Sequence, residues 1–277
     1  MFTLNCKGRL LTIDQPVVMG VLNINPDSFY AGSRHNNDTA LLSTAEQMIK
    51  DGAAILDIGG QSTRPGSVLI DAETEYARVI PCIETLHKNF PETFISVDTF
   101  YSHVAREAVA AGASIVNDIS AGQMDETLLD TVAALNVPYI LMHMQGTPQT
   151  MQQHPLYEDI TREVLEFFIR KLALLRSKNI KDIIIDPGFG FGKNFEHNYT
   201  LLKNLEIFKM LDCPVLLGIS RKGMIYRKLG ITAEEALNGT AVLNTIGLTK
   251  GANILRVHDV KQAMETIKLV QELNDID

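Results

Sequence analysis

The chain has 277 residues, is 45% hydrophobic and carries a formal net charge of −8. That is enough for one α/β barrel or two small domains, and too acidic for nonspecific binding to nucleic acid or a membrane surface, which needs a basic face. The cysteines Cys6, Cys82 and Cys213 form no CxxC pair, which argues against a disulfide framework or zinc site and for a soluble cytosolic protein without a targeting or membrane-spanning segment.

The chain opens with TLNCKGRLLTI before Pro16, which reads as a small hairpin with Lys7-Gly8 as its turn. Eight short apolar runs follow, at residues 17–22, 54–58, 94–97, 114–116, 138–142, 183–185, 215–219 and 253–257. Continuous apolar runs of this length suit parallel strands covered on both faces. Three of them share one junction, GAAILDIGG, GASIVNDIS and GANILRVHD, in which Gly52, Gly112 and Gly251 read as C-caps of the preceding helices. The segments between have helical periodicity, as in Ile160, Val164, Phe168, Leu172 and Leu175, or Tyr101, Val104, Ala105 and Ala108. Pro81 predicts a kink or a restart in the helix over residues 72–88. Eight βα units in this length predict a single (β/α)8 TIM barrel over residues 1–277, with the N-terminal β-hairpin closing its bottom.

Chemistry in such a barrel belongs at the C-terminal ends of the strands. Those ends are polar: Asn23 with INPDSFYAGSR, then GGQSTRPG, Asp98, Asn117 with Asp118, HMQGTP, Asp186 with its glycine loop, Ser220-Arg221-Lys222, and Arg256, His258 and Asp259. Taken alone, Asp98 or Asp186 reads as a helix N-cap, Asn117 as a turn residue, and SRK as an N-cap with a solvated basic turn. Together, Asp98, Asn117 and Asp186 form a ring of acceptors with Lys222 beside it, which suits a flat heterocycle presenting several N–H donors, such as a pterin edge. Arg64, Arg221, Arg256 and His258 form a separate basic cluster, with backbone amides where Ser220 opens a helix, and a diphosphate fits there. No HExxH or spaced Cys/His set accompanies His143 and His258, so Mg²⁺ bridging a diphosphate is the better metal reading than zinc. The run DPGFGFGK lacks the P-loop ending and follows an acid. It therefore reads as a tight turn in which Phe189 and Phe191 flank a ligand, although Phe189 serves equally as core packing.

The motifs MGVLNINPDSF, GGQSTRPG, SVDTF, IVNDIS, MHMQGTP, IIDPGFGFGK, GISRK and RVHDV, in this order, resemble the dihydropteroate synthase family nearly end to end. The resemblance implies condensation of 6-hydroxymethyl-7,8-dihydropterin diphosphate with p-aminobenzoate, giving 7,8-dihydropteroate and diphosphate in folate biosynthesis. It implies a pterin pocket of Asp98, Asn117, Asp186 and Lys222 with Phe191, Gly218 and Met142 nearby. The diphosphate site falls on Asn23, Thr63, Arg64, Arg256 and His258, with Asn23 toward Mg²⁺. The p-aminobenzoate site, where sulfonamides compete, falls on Pro26, Phe29, Thr63, Arg64, Pro65, Ser220 and Lys222. Arg64, Asp98, Lys222, Arg256 and His258 carry the catalytic roles, and a homodimer is implied. Two positions depart from the family pattern: Asn25 replaces Thr in LNxTPDSF, and Gln61 replaces Glu in GGESTRPG.

On this reading diphosphate leaves dissociatively before the neutral arylamine attacks, and loops 24–37 and 60–71 close to exclude water. A corrinoid-directed methyltransferase would keep the acceptor ring but would not need STRPG, RVH or PDSF. A catalytically silent pterin-binding paralogue or a general phosphate-binding barrel are the other readings.

Overall fold

The computed structural model describes residues 1–24, 34–61, 67–151, 153 and 155–276. Strands β1 (Phe2–Cys6) and β2 (Arg9–Ile13) pair antiparallel across Lys7 and Gly8. Both turn residues have positive φ, 56° and 86°, the two-residue turn whose twist matches the flanking strands. The expected hairpin is therefore present with its expected turn.

Eight parallel strands follow: β3 (Val17–Asn23), β4 (Ala53–Gly59), β5 (Phe94–Asp98), β6 (Ile115–Asp118), β7 (Tyr139–Met142), β8 (Ile183–Asp186), β9 (Leu216–Leu217) and β10 (Ile254–Val257). They are ordered β8-β7-β6-β5-β4-β3-β10-β9. The ring closes through the bridge Ile185↔Val215 and the bond from Ile185 N–H to the Pro214 carbonyl, 2.9 Å. With helices between the strands, this is the (β/α)8 barrel expected. β9 is shorter than its apolar run, whereas β3, β4, β5, β6 and β8 continue into the polar residues, so the ladder itself holds those groups in register.

Strand periodicity sorts the side chains into two cores. Residues such as Val18, Leu56, Val97, Val116, Leu141, Ile185, Leu217 and Leu255 face outward into the helix layer. Met19, Ile55, Ile115, Ile140, Ile184, Leu216 and Ile254 face inward and meet Leu4, Cys6, Leu11 and Ile13 of the hairpin. The hairpin thus plugs the N-terminal end. Arg9 fastens it by stacking 4.6 Å from the Phe94 ring centre and donating to the Pro91 carbonyl at 2.6 Å, and Lys7 Nζ reaches the Val109 carbonyl at 2.6 Å.

The helix Ile160–Ser177 buries Ile160, Val164, Phe168, Leu172 and Leu175, and Ser102–Ala111 buries Val104, Ala105 and Ala108. Gly52, Gly112 and Gly251 follow their helices at φ 105°, 127° and 100°. At Gly112 a side chain would also lie 2.4 Å from His87 Cγ. The restart expected at Pro81 is absent: one helix spans Ala72–Asn89. Pro81 lies on its exposed face, where solvent can serve the carbonyl that the imino acid leaves unbonded. Among the described residues no helix is long and apolar enough to cross a membrane.

Ile13 is 2% exposed within the plug. Ile13→Ala is expected to lower stability by about 2–4 kcal/mol, read from the urea midpoint at unchanged slope. A loss under about 1 kcal/mol would mean that the hairpin covers the barrel without sealing it.

Candidate functional site

Two residues beyond six members of the inward apolar layer, Met19 of β3 being the exception, the same strand face changes character. Ile55 is followed by Asp57, Ile115 by Asn117, Ile140 by Met142, Ile184 by Asp186, Leu216 by Gly218 and Ile254 by Arg256. One step of the pleat converts a dry floor into a polar pocket.

Arg256 organises one side of it. Its Nε donates to Asp57 Oδ2 at 2.7 Å, and its Nη2 lies 2.6 Å from the same oxygen and 2.7 Å from Asp98 Oδ2. Asn117 Nδ2 donates to Asp57 Oδ2 at 3.2 Å. Asp98 and Asn117 are adjacent in register, as are Gly59 and Asp98. Burial raises the Asp98 carboxyl to about 7 despite Arg256, and Asp57, Asp118 and Asp186 add to the rise.

Asp186 and Lys222 form the other side. Asp186 Oδ1 accepts the Gly188 N–H at 2.8 Å, and Gly218 leaves the face of that carboxylate open, since a Cβ there would stand 3.7 Å from Asp186 Oδ2. Burial raises Asp186 while Lys222 pulls it down. Lys222 itself is lowered by burial to about 8, with Asp186 opposing. Lys222 Nζ donates to the Phe189 carbonyl and sits 4.4 Å from the Phe191 ring centre, a cation–π contact. Met142, with Phe100 and Ile119, builds a small apolar wall against which Phe191 packs. Phe189 is fully buried, so of the two loop aromatics only Phe191 has the position of a ligand wall, and Phe189 is core.

Asn23 ends β3 exposed at the mouth, beside Gly59 in register. Ser220 Oγ and His258 Nδ1 are 3.0 Å apart, joining the ends of β9 and β10. Pro26, Phe29, Thr63, Arg64 and Pro65, with Asn25 and most of the two loops, lie outside the described residues.

Three expectations change. Arg256 does not stand in a basic cluster apart from the acceptor ring but is woven into it, because a buried guanidinium requires counter-charges. Arg221 is tied to Asp259 by a two-point ion pair of 2.6 and 3.0 Å, which satisfies its planar fork away from the acceptor ring. Ser220 does not open a helix: the helix is Gly223–Leu229, and Lys222 is its N-cap residue. Sequence reasoning missed Asp57, hidden inside what reads as an apolar run. The available signal was the two-residue spacing from Ile55. It also assigned no role to Lys193, the last residue of DPGFGFGK, or to Glu75, which no motif marks; they are buried at 2% and 1% exposure.

Glu75 supports the pocket from behind. Its Oε2 accepts the Thr99 hydroxyl, next to Asp98, and Thr99 Oγ1 accepts the Tyr101 N–H at 3.1 Å. Gln61 Oε1 accepts the Ile70 N–H at 2.9 Å, and the Tyr101 hydroxyl donates to the Ile70 carbonyl at 2.6 Å. Gln61, the amide in place of the family's acid, therefore bonds across the base of its loop without needing a charge.

Among the described residues no group of three His, Cys, Asp or Glu side chains could hold a metal. Asn23 offers one hard oxygen. That suits an ion coordinated mainly by phosphate oxygens and water, as Mg²⁺ commonly is, and does not suit a resident all-protein site.

Residues 19–258 match the family described as pterin binding enzyme. The chain is 43% identical over 267 residues to the dihydropteroate synthase of Escherichia coli strain K12, covering 96% of this chain and 94% of that protein. The structure of Yersinia pestis dihydropteroate synthase with a sulfonamide drug superposes with a TM-score of 0.92 at 38% identity, and that of the Xanthomonas albilineans enzyme with 4-aminobenzoic acid does so with 0.92 at 39%, each covering 99% of both chains.

Burial raises Glu75 from an ordinary 4.5 to about 7, against the Thr99 hydrogen bond. A carboxyl raised by folding contributes stability that is full below its unfolded value and is lost as pH rises through the folded one. The stability of Glu75→Gln relative to the native protein is therefore expected to increase between pH 5 and pH 8, by on the order of 2 kcal/mol, in urea melts at the two pH values. A difference that does not change with pH would show that Glu75 is ionised or solvated differently from this.

Proposed function

The chain belongs to the dihydropteroate synthases of the pterin binding enzyme family, and from that premise we propose that it joins 6-hydroxymethyl-7,8-dihydropterin diphosphate to p-aminobenzoate. The products are 7,8-dihydropteroate and diphosphate, and the enzyme is a transferase of folate biosynthesis and a target of sulfonamides. The observation that carries this reading is the inward ring of Asp98, Asn117 and Asp186 with Lys222 beside it. A heterocycle edge with several N–H donors, desolvated in such a pocket, needs several fixed acceptors.

In the proposed complex Asp186 and Asn117 hold the pterin edge, and Asp98 offsets positive charge developing on the ring. Lys222 serves the ring's acceptor atoms, while Phe191, Met142 and Gly218 shape the slot around it. The electron-rich dihydropterin stabilises a cation at its methylene, so the C–O bond to diphosphate breaks first. The neutral arylamine nitrogen then forms the C–N bond and releases its proton to solvent. No strong base is required, and positioning with charge stabilisation supplies the acceleration.

Arg64, Arg256 and His258 hold the departing diphosphate with Asn23 and Thr63. The Nε and Nη2 atoms of Arg256 are engaged by Asp57 and Asp98, and its Nη1, without an acceptor among the described residues, serves the phosphate. Asn23 would contribute one oxygen to an Mg²⁺ ion held mainly by the diphosphate, and that ion would supply charge neutralisation of the leaving group. Pro26, Phe29, Thr63, Arg64, Pro65, Ser220 and Lys222 receive p-aminobenzoate, where a sulfonamide competes. The first five of these lie outside the described residues, and on this reading their part is to keep water from the pterin cation. We place this activity in one cytosolic domain, acting as a homodimer.

The test is diphosphate release by the purified protein from the pterin diphosphate and Mg²⁺, with and without p-aminobenzoate. Release matched by dihydropteroate formation supports the synthase. Pterin binding with no release in either case favours a silent binding protein. Asp186→Asn removes a charged acceptor from the pterin edge and is expected to raise the pterin KM about tenfold or more. Unchanged pterin affinity and turnover in that variant would remove Asp186 from its role.

A further inference from the structure

The glycine loop after β8 solves a local problem that the assigned roles do not explain. Gly188, Gly190 and Gly192 alternate with Phe189 and Phe191, all three at positive φ of 69°, 84° and 61°. At Gly188 the backbone presses against β7's exit so closely that a Cβ would lie 1.9 Å from the His143 carbonyl oxygen. This fold of the loop turns the carbonyls of His143, Gly188 and Phe191 toward one point. Three converging carbonyl oxygens repel one another unless a donor stands among them.

Lys193 occupies that point. Its Nζ is 2.9 Å from the Gly188 oxygen, 2.9 Å from the Phe191 oxygen, 3.2 Å from the His143 oxygen and 2.9 Å from His143 Nδ1. The side chain is 2% exposed, and these protein groups surround its amine. Burial pushes the amine well below its ordinary range while Asp186 pulls it up. The three carbonyl oxygens can only accept from the amine, so Nζ is the donor that gathers them, with His143 Nδ1 as its fourth partner.

The consequences reach the pocket through the backbone. Gly188, whose carbonyl Lys193 holds, gives its N–H to Asp186 Oδ1 at 2.8 Å. Phe191, the second residue held, carries the ring that lies under Lys222 Nζ. Asn198 fixes the loop from the helix side by accepting the Gly190 N–H at 2.7 Å.

We propose that Lys193 is a positioning residue for pterin recognition: by gathering the carbonyls of His143, Gly188 and Phe191 it fixes the loop that aims Asp186 and Phe191 into the pocket, without itself touching the substrate. The identity of the ligand rests on the synthase reading above. The holding of the loop does not.

The experiment compares the native enzyme with Lys193→Met in two ways. In the ligand-free protein, amide exchange at Gly188 and Phe191 is expected to accelerate in the variant. In steady-state assays the KM for the pterin diphosphate is expected to rise about tenfold or more. The KM for p-aminobenzoate and the affinity for inorganic diphosphate with Mg²⁺ are expected to stay within about twofold. Unchanged pterin KM in a folded variant, or an equal loss toward all three ligands, overturns the proposal. If Lys193→Met does not fold, Lys193→Gln, which keeps two N–H donors, is read by the same criteria. If the native protein turns over no pterin diphosphate, the synthase reading fails, and amide exchange alone decides whether Lys193 holds the loop.

Discussion

Arg256 brings a permanent charge into the barrel, and the strand register decides what that charge meets. It meets Asp57 from β4 and Asp98 from β5, with Asn117 of β6 completing the contact to Asp57. A slip of one residue in β10 would turn Arg256 toward the apolar helix layer and leave two buried carboxylates uncompensated. Breaking a buried ion network in that way costs about 3–5 kcal/mol, a large share of a typical domain's stability. The same slip would pull Ile254 from the floor sealed by the hairpin. The apolar floor and the charged layer above it therefore enforce one register, and the pocket is as well specified as the core.

That pocket holds its polar groups out of water at a cost to stability. Burial raises Asp98 and Asp186 and lowers Lys222, so each is less comfortable than it would be in solvent. The strain is useful at a recognition site, because a desolvated acceptor gains more from a ligand's N–H than a hydrated one. Supporting groups keep the arrangement from relaxing. Glu75 holds Thr99 behind Asp98, Lys193 holds the glycine loop behind Asp186, and the His258 to Ser220 contact joins the last two strand ends. Glu75 and Lys193 act from buried positions, and all three work through the backbone or a neighbouring side chain.

The sequence was legible wherever one residue type had one physical use. Apolar runs of strand length, separated by helical periodicity, marked all eight barrel strands, and Lys7-Gly8 marked the hairpin turn. The polar ends of the strands pointed to Asp98, Asn117, Asp186 and Lys222 as one group and to Arg256 as part of another, and the closed barrel brings both to one mouth. Legibility ended where a residue had two uses. Asp57 passed as part of an apolar run because strands buried on both faces conceal which side is inward. Phe189 and Phe191 look alike in the sequence, yet one is core and the other lines the pocket. Pro81 suggested a kink or a restart, and the helix runs through it on a solvent face without a restart.

By itself, then, the sequence determined the barrel, the mouth at which its chemistry gathers and the motif set of the family, because these depend on local periodicity and on residues placed at strand ends. Tertiary structure alone decided the pairings. That Arg256 turns inward to two carboxylates, that Arg221 goes instead to Asp259, and that Lys193 closes on three carbonyls all depend on contacts between residues far apart or on backbone φ values. Each pairing is set by which groups are buried together, and burial is a property of the closed barrel that no local pattern records.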